Sequence, residues 1–168
     1  FFSYRLVAGD ESVAKKLDSM IAELLDRSKI FQFRLTQAER AQGQIPELDQ
    51  PIRSLFKMDR KNIDLKKEVL FPYHHSLQIL SLLEGIPGGT PVGKINALLQ
   101  KGVFTADFAA DLKAGVDQIL SLYIRLRWAG GSSVLHFHSL STREKDELIL
   151  SLDTLRELQG MVFARFTV

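Results

Sequence analysis

The stretch TADFAADLKAGVDQILSLYIRLRWAGG, residues 105–131, decides the fold class. Phe108, Leu112, Val116, Ile119, Leu120, Tyr123, Ile124 and Leu126 supply an apolar side at helical three- and four-residue spacing. Gly130 and Gly131 then stop the helix. This is the longest strong periodic segment of the chain.

The neighbouring segments repeat the same logic. STREKDELILSLDTLRELQGMVFARF, residues 141–166, opens with Ser141-Thr142-Arg143-Glu144, a capping box in which Ser141 and Glu144 satisfy each other's backbone donors. Leu148, Leu152, Leu155, Leu158, Val162 and Phe166 follow as its apolar residues. Upstream, Thr90 and Pro91 read as the cap and first residue of a short helix that Gly102 ends. Residues 64–84 form a further helix, which Pro72 kinks or restarts because it lacks a backbone donor. Residues 10–28 place Val13, Leu17, Met20, Ile21, Leu24 and Leu25 on one helical side, with Asp10 or Ser12 in place to cap it. A second helix is expected over 30–43, ended by Gly43. The two prolines near its end make 44–54 an extended loop. SLFKM and the linker SSVLHFHSL read as short extended pieces, too few for a sheet-based domain. The expected architecture is all-α: a helical bundle of five to six helices, with residues 1–168 as one domain and the apolar stripes as its core.

Composition narrows the function. The 168 residues are 45% hydrophobic and 25% charged, as in an ordinary globular domain with a single sizeable core. Lys and Arg number 22 against 20 Asp and Glu, so the net charge is only +2. That gives no electrostatic reason to expect nucleic acid or an anionic membrane as partner. No apolar run approaches the roughly 20 residues that span a bilayer. There is no cysteine, so disulfides and thiolate metal sites are excluded, and a cytoplasmic setting is the expectation. The chain opens on Phe1 rather than methionine and reads as a fragment or processed chain.

The chemical motifs fall short of a catalytic constellation. The histidines come as His74-His75 and His136-x-His138, and no H-E-x-x-H spacing accompanies them. The expectation is one half-buried, hydrogen-bonded histidine in each pair and no metal site. A Gly-Ser turn at 131–132 precedes Asp146-Glu147-Leu148. A nucleotidyltransferase needs an Asp-x-Asp pair on a strand to hold two magnesium ions, whereas these residues sit inside a capped helix and position 148 is leucine. A P-loop and a G-x-S-x-G elbow are both absent from the sequence. Arg125 and Arg127 have no histidine a few residues later on the same helix.

The basic stretch KMDRKNIDLKKE, residues 57–68, is either a solvated charged face or an edge that meets an anion. Asp64 reads as a helix N-cap, with Glu68 adding favourable charge in the first turn. Lys66 does not fit that account. A cation in the first turn faces the positive end of the helix dipole, so Lys66 is the residue that points to a ligand or an acidic partner.

Several of these segments, in order, resemble the nucleotidyltransferase substrate-binding domain family. That family is the helical C-terminal part of bacterial signalling proteins with cyclic-nucleotide-binding and CBS modules. FFSYRLVAGDESVAKKL is similar to the family's junction with its preceding domain, through Arg5 and Gly9, although Ser3 stands where an aspartate is expected. NIDLKKEVLFPYHHSLQILSLLEGI resembles the family's Ile-Asp-Leu-Lys segment and apolar helix through Asp64, Leu65, Lys66, Pro72, Gly85 and Ile86, with Gln78 where an arginine is expected. TPVGKINALLQKG resembles the next helix, with Lys94 in the basic place, and the last two helices are also similar.

The resemblance implies a non-catalytic accessory domain in which residues 1–9 join an upstream nucleotidyltransferase domain. Magnesium and a nucleoside triphosphate would belong to that upstream domain, and no cofactor to this chain. Arg5, Asp64 and Lys66 become the expected substrate-binding edge, with His74 and His75 nearby. The expected partners are the upstream domain and an acceptor protein or small molecule. The alternative is a pure interaction module that pairs with itself as a homodimer or with a regulatory domain.

Overall fold

The computed structural model describes residues 6–27, 34, 37, 45–46, 62–86 and 88–165. The expected second helix over 30–43 and the extended pieces at 44–58 fall almost wholly outside them, as do Ser3 and Arg5. Among the described residues the chain forms five α-helices and one very small sheet. The helices are α1 (Glu11–Arg27), α2 (Phe71–Leu83), α3 (Pro91–Gln100), α4 (Ala106–Gly130) and α5 (Thr142–Ala164). The sheet pairs β1 (Asn62–Asp64) with β2 (Val134–His136) in antiparallel register, Asn62 opposite His136 and Asp64 opposite Val134. This is the all-α helical bundle expected from the periodicity.

The helix ends follow the local chemistry. Thr90 Oγ1 accepts from the Gly93 N–H at 3.1 Å, and Thr105 Oγ1 from the Phe108 N–H at 3.2 Å. Gly131 closes α4 in the left-handed region at φ 69°, and its N–H bonds the Arg127 carbonyl at 3.0 Å. The Ser141 capping box is complete: the Glu144 N–H donates to Ser141 Oγ at 3.3 Å, and the Ser141 N–H to Glu144 Oε2 at 2.9 Å. The Ser141 N–H and the Arg125 guanidinium, 2.6 Å away, together pull the Glu144 pKa down to about 2. Ser141→Ala should therefore cost about 1 kcal/mol through the lost cap. An unchanged urea midpoint would speak against this role.

The core lies where α2, α4 and α5 meet. α5 contributes Leu148, Leu152, Leu155, Leu158 and Val162, and α4 contributes Phe108, Leu112, Val116, Ile119 and Leu122, all buried. Each such side chain gains about 1.5–3 kcal/mol by leaving water. α4 and α5 approach closely at Gly115, where an added Cβ would stand 3.3 Å from Ser151 Cα. Ile45 is buried and its N–H bonds Gln159 Oε1 at 3.1 Å, which ties a residue of the expected loop to α5.

Two apolar stripes depart from expectation. Among the described side chains of α1, which leave out Leu24 and Leu25, Ile21 is buried, while Val13 and Met20 are 66% and 55% exposed and Leu17 lies open as well. The 3.6-residue period fixes a helix but not what covers its apolar side. On α4, Ile124 is exposed rather than core, and Trp128 beside it is 92% exposed. The linker 132–140 is extended only at β2 and then turns through a short 3-10 segment, Phe137–Ser139. Its buried residues are Leu135, Phe137 and Leu140.

Candidate functional site

The candidate site is built where β1 turns into α2. Leu65–Leu70 forms one π-helical segment, in which the Phe71 N–H reaches back five residues to the Lys66 carbonyl. Phe71 and Pro72 then restart the chain as an α-helix, with proline in its first turn, where its missing donor costs nothing. The sequence suggests a kink or restart at Pro72; the π-helical approach to it carries no sequence signal.

Asp64 caps this turn. Its Oδ1 accepts the Lys66 and Lys67 N–H groups, each at 3.1 Å, and its own N–H donates to Glu68 Oε2 at 2.7 Å. Burial opposes ionisation of the carboxyl. The Lys67 N–H, Ser133, the Lys66 N–H and the Lys67 charge together outweigh it and hold the pKa below the usual value. The Ser133 carbonyl also accepts the Leu65 N–H at 3.0 Å. The segment before β2 thus clamps the Asp64 turn across some seventy residues of chain, an arrangement invisible to local pattern.

Lys66 is exposed, and its ammonium stands 5.5 Å from the centroid of the exposed Phe71 ring. This cation–π contact gives the lysine a local partner that the dipole argument lacked. It is a solvent-facing interaction that leaves the ammonium accessible.

His74 and His75 are both exposed on α2. The Tyr73 and His74 rings lie 4.9 Å apart, with Tyr73 itself buried. His74 is open as a residue, yet desolvation of its imidazole is the main influence that lowers its pKa, followed by the charges of Lys94 and His75. Burial and the nearby Asp117 charge push the Tyr73 hydroxyl upward. In the second pair the expected half-burial fails, since His136 and His138 are both exposed, while the expected hydrogen bond is present at His136. Period-2 and period-3.6 patterns say little about a polar ring at an element's edge. His136 is instead held by register: its Nδ1 lies 2.7 Å from Asn62 Oδ1, its cross-strand partner, and its ring is 5.7 Å from that of His138.

The structure therefore brings Asn62, Asp64 and Lys66 together with Ser133 and His136 around the small sheet. His74 and His75 sit beyond it on α2, and Arg5 lies outside the described residues. Among the described residues no three His, Asp or Glu side chains form a group able to hold a metal ion. Asn62 is the residue the sequence reading passed over. Only the β1–β2 register reveals it, because a three-residue strand has no readable period.

Residues 32–166 match the family described as "Putative nucleotidyltransferase substrate binding domain". The chain belongs to that family. The match takes in β1, β2 and helices α2 to α5, and leaves α1 in front of it. No curated protein and no solved structure matches the chain. Among its described residues, no helix is long and apolar enough to cross a membrane.

Proposed function

We propose that this domain holds the acceptor of a signalling nucleotidyltransferase beside the active site of a preceding domain in the same protein. Magnesium, the nucleoside triphosphate and the chemistry belong to that preceding domain. The helical domain contributes proximity, which converts an encounter between two reactants into a positioned one. The observation that carries this reading is the family match over 32–166, which spans the candidate site and the helices that support it. The acceptor-facing edge comprises Asp64, Lys66, His74 and His75, with Arg5 at the junction. Asp64 holds the turn in shape, and Lys66 offers an accessible cation to a polar or anionic group. The setting we infer is the bacterial cytoplasm, in a protein with cyclic-nucleotide-binding or CBS modules.

A second reading is favoured by one feature. The exposed Val13, Leu17 and Met20 on α1 are the kind of surface that an interaction module covers with a partner. The two readings separate by experiment. Addition of acceptor-containing cell extract fractions to the isotope-labelled chain should shift amide signals around residues 62–78. A module that only self-associates should leave those signals in place and show a mass that rises with concentration.

A further inference from the structure

Lys94 is the only charged side chain that the fold buries among the described residues, with 3% of its surface exposed. Its ammonium donates to Oε1 of Gln78, a neutral amide. Among the described residues no carboxylate pairs with it. An ammonium carries three donors, and a charge taken out of water is normally paired with an opposite one. A neutral amide oxygen supplies a hydrogen bond without a counter-charge.

The position of Lys94 adds to the imbalance. Thr90 caps α3 and Pro91 opens it, so Lys94 stands at the end of the first turn, near the positive end of the helix. Across the seam, His74 precedes Gln78 by four residues on α2, so both lie on one face of that helix. The Lys94 charge acts on His74, and His75 adds to it. Burial lowers the pKa of Lys94 itself, the strain expected of a cation without its anion. Gly93, exposed in the first turn of α3, puts no side chain over this end of the helix. A lysine, a helix N-terminus and an imidazole thus share one seam.

We infer that the α2–α3 seam binds an oxyanion, the phosphate or carboxylate group of a ligand, with Lys94 as its buried cation, Gln78 orienting the ammonium and His74 as the exposed second donor. Charge-assisted bonds from an ammonium suit such oxygens, and α3 adds the positive end of its dipole, its Gly93 N–H being already taken by Thr90 Oγ1. That the oxyanion belongs to the acceptor rests on the proposed function; the site itself does not.

The test is titration of the 168-residue chain with inorganic phosphate and, separately, with acetate, at low ionic strength. Amide and side-chain shifts of residues 74–78 and 90–94 are followed. The inference expects saturable shifts confined to those residues with at least one of the two anions. Which anion produces them distinguishes a phosphate site from a carboxylate site. Lys94→Met should weaken the binding at least tenfold while melting no lower than the wild type, since it removes a buried unpaired charge. The absence of saturable shifts with either anion would overturn the inference, as would unchanged affinity in a folded Lys94→Met. The titration of the wild type decides alone if that variant does not fold. Failure here leaves acceptor positioning untouched, because that reading is tested by transfer of label in the longer protein.

Discussion

Gly115→Leu is expected to destabilise the fold by about 3 kcal/mol, the upper part of the usual range for overpacking a core. Gly115 is buried at the crossing of α4 and α5, and a Cβ there would already meet Ser151 Cα at 3.3 Å and Ser151 Cβ at 3.4 Å. The first of these is backbone and cannot rotate away. A leucine would drive the two longest helices apart along the seam that holds Leu112, Val116, Leu148 and Leu152. In a chain of this size the loss corresponds to a fall in melting temperature of roughly 6–12 °C. Gly115→Ala is a sharper control, because a better helix former gains about 1 kcal/mol and offsets part of the clash. A melting temperature unchanged by leucine would mean that the two helices do not approach this closely.

Leu152→Ala should cost about 3 kcal/mol, from the lost burial of the removed carbons and the cavity left behind. Leu152 has no exposed surface and sits in the cluster shared by α2, α4 and α5. A urea titration reads the loss as a lower midpoint with an unchanged slope. A cost under about 1 kcal/mol would show that the site collapses around the shorter side chain. Leu152 follows Ser151 directly, so the effects of Gly115→Leu and Leu152→Ala should not add when combined.

The sequence made the helices legible because their signals are local. Thr90 and Ser141 mark starts, Gly131 marks a stop, and the apolar spacing of α4 and α5 names most of the core residues that those two helices supply. Environment was less legible. Val13 and Met20 carry the same period as Leu148 and Leu152, yet only the latter pair is covered. Gly115 looks like a helix-weakening residue until Ser151 is seen against it. The site shows the same division. Asp64 as a cap follows from its position before the turn. The Phe71 contact of Lys66, the Asn62–His136 pair and the Ser133 clamp depend on contacts that sequence spacing does not carry. Lys94 stands out in the sequence only as the basic residue of the resembled helix, and its burial is visible only in the fold.

The central claim is that the Asp64–Lys66 edge serves the acceptor of a transfer reaction. Its most direct test is nucleotidyl transfer by the longer protein that includes the preceding domain, wild type against Lys66→Ala. A radiolabelled nucleoside triphosphate is supplied, and incorporation into acceptors in an extract of the expressing cells is measured. Loss of an exposed cation–π contact costs about 0.5–1 kcal/mol, so the variant should remain folded with nearly the same melting temperature. The account predicts at least a tenfold fall in label transferred, with binding of the triphosphate unchanged. Equal transfer by a folded Lys66→Ala protein would contradict it.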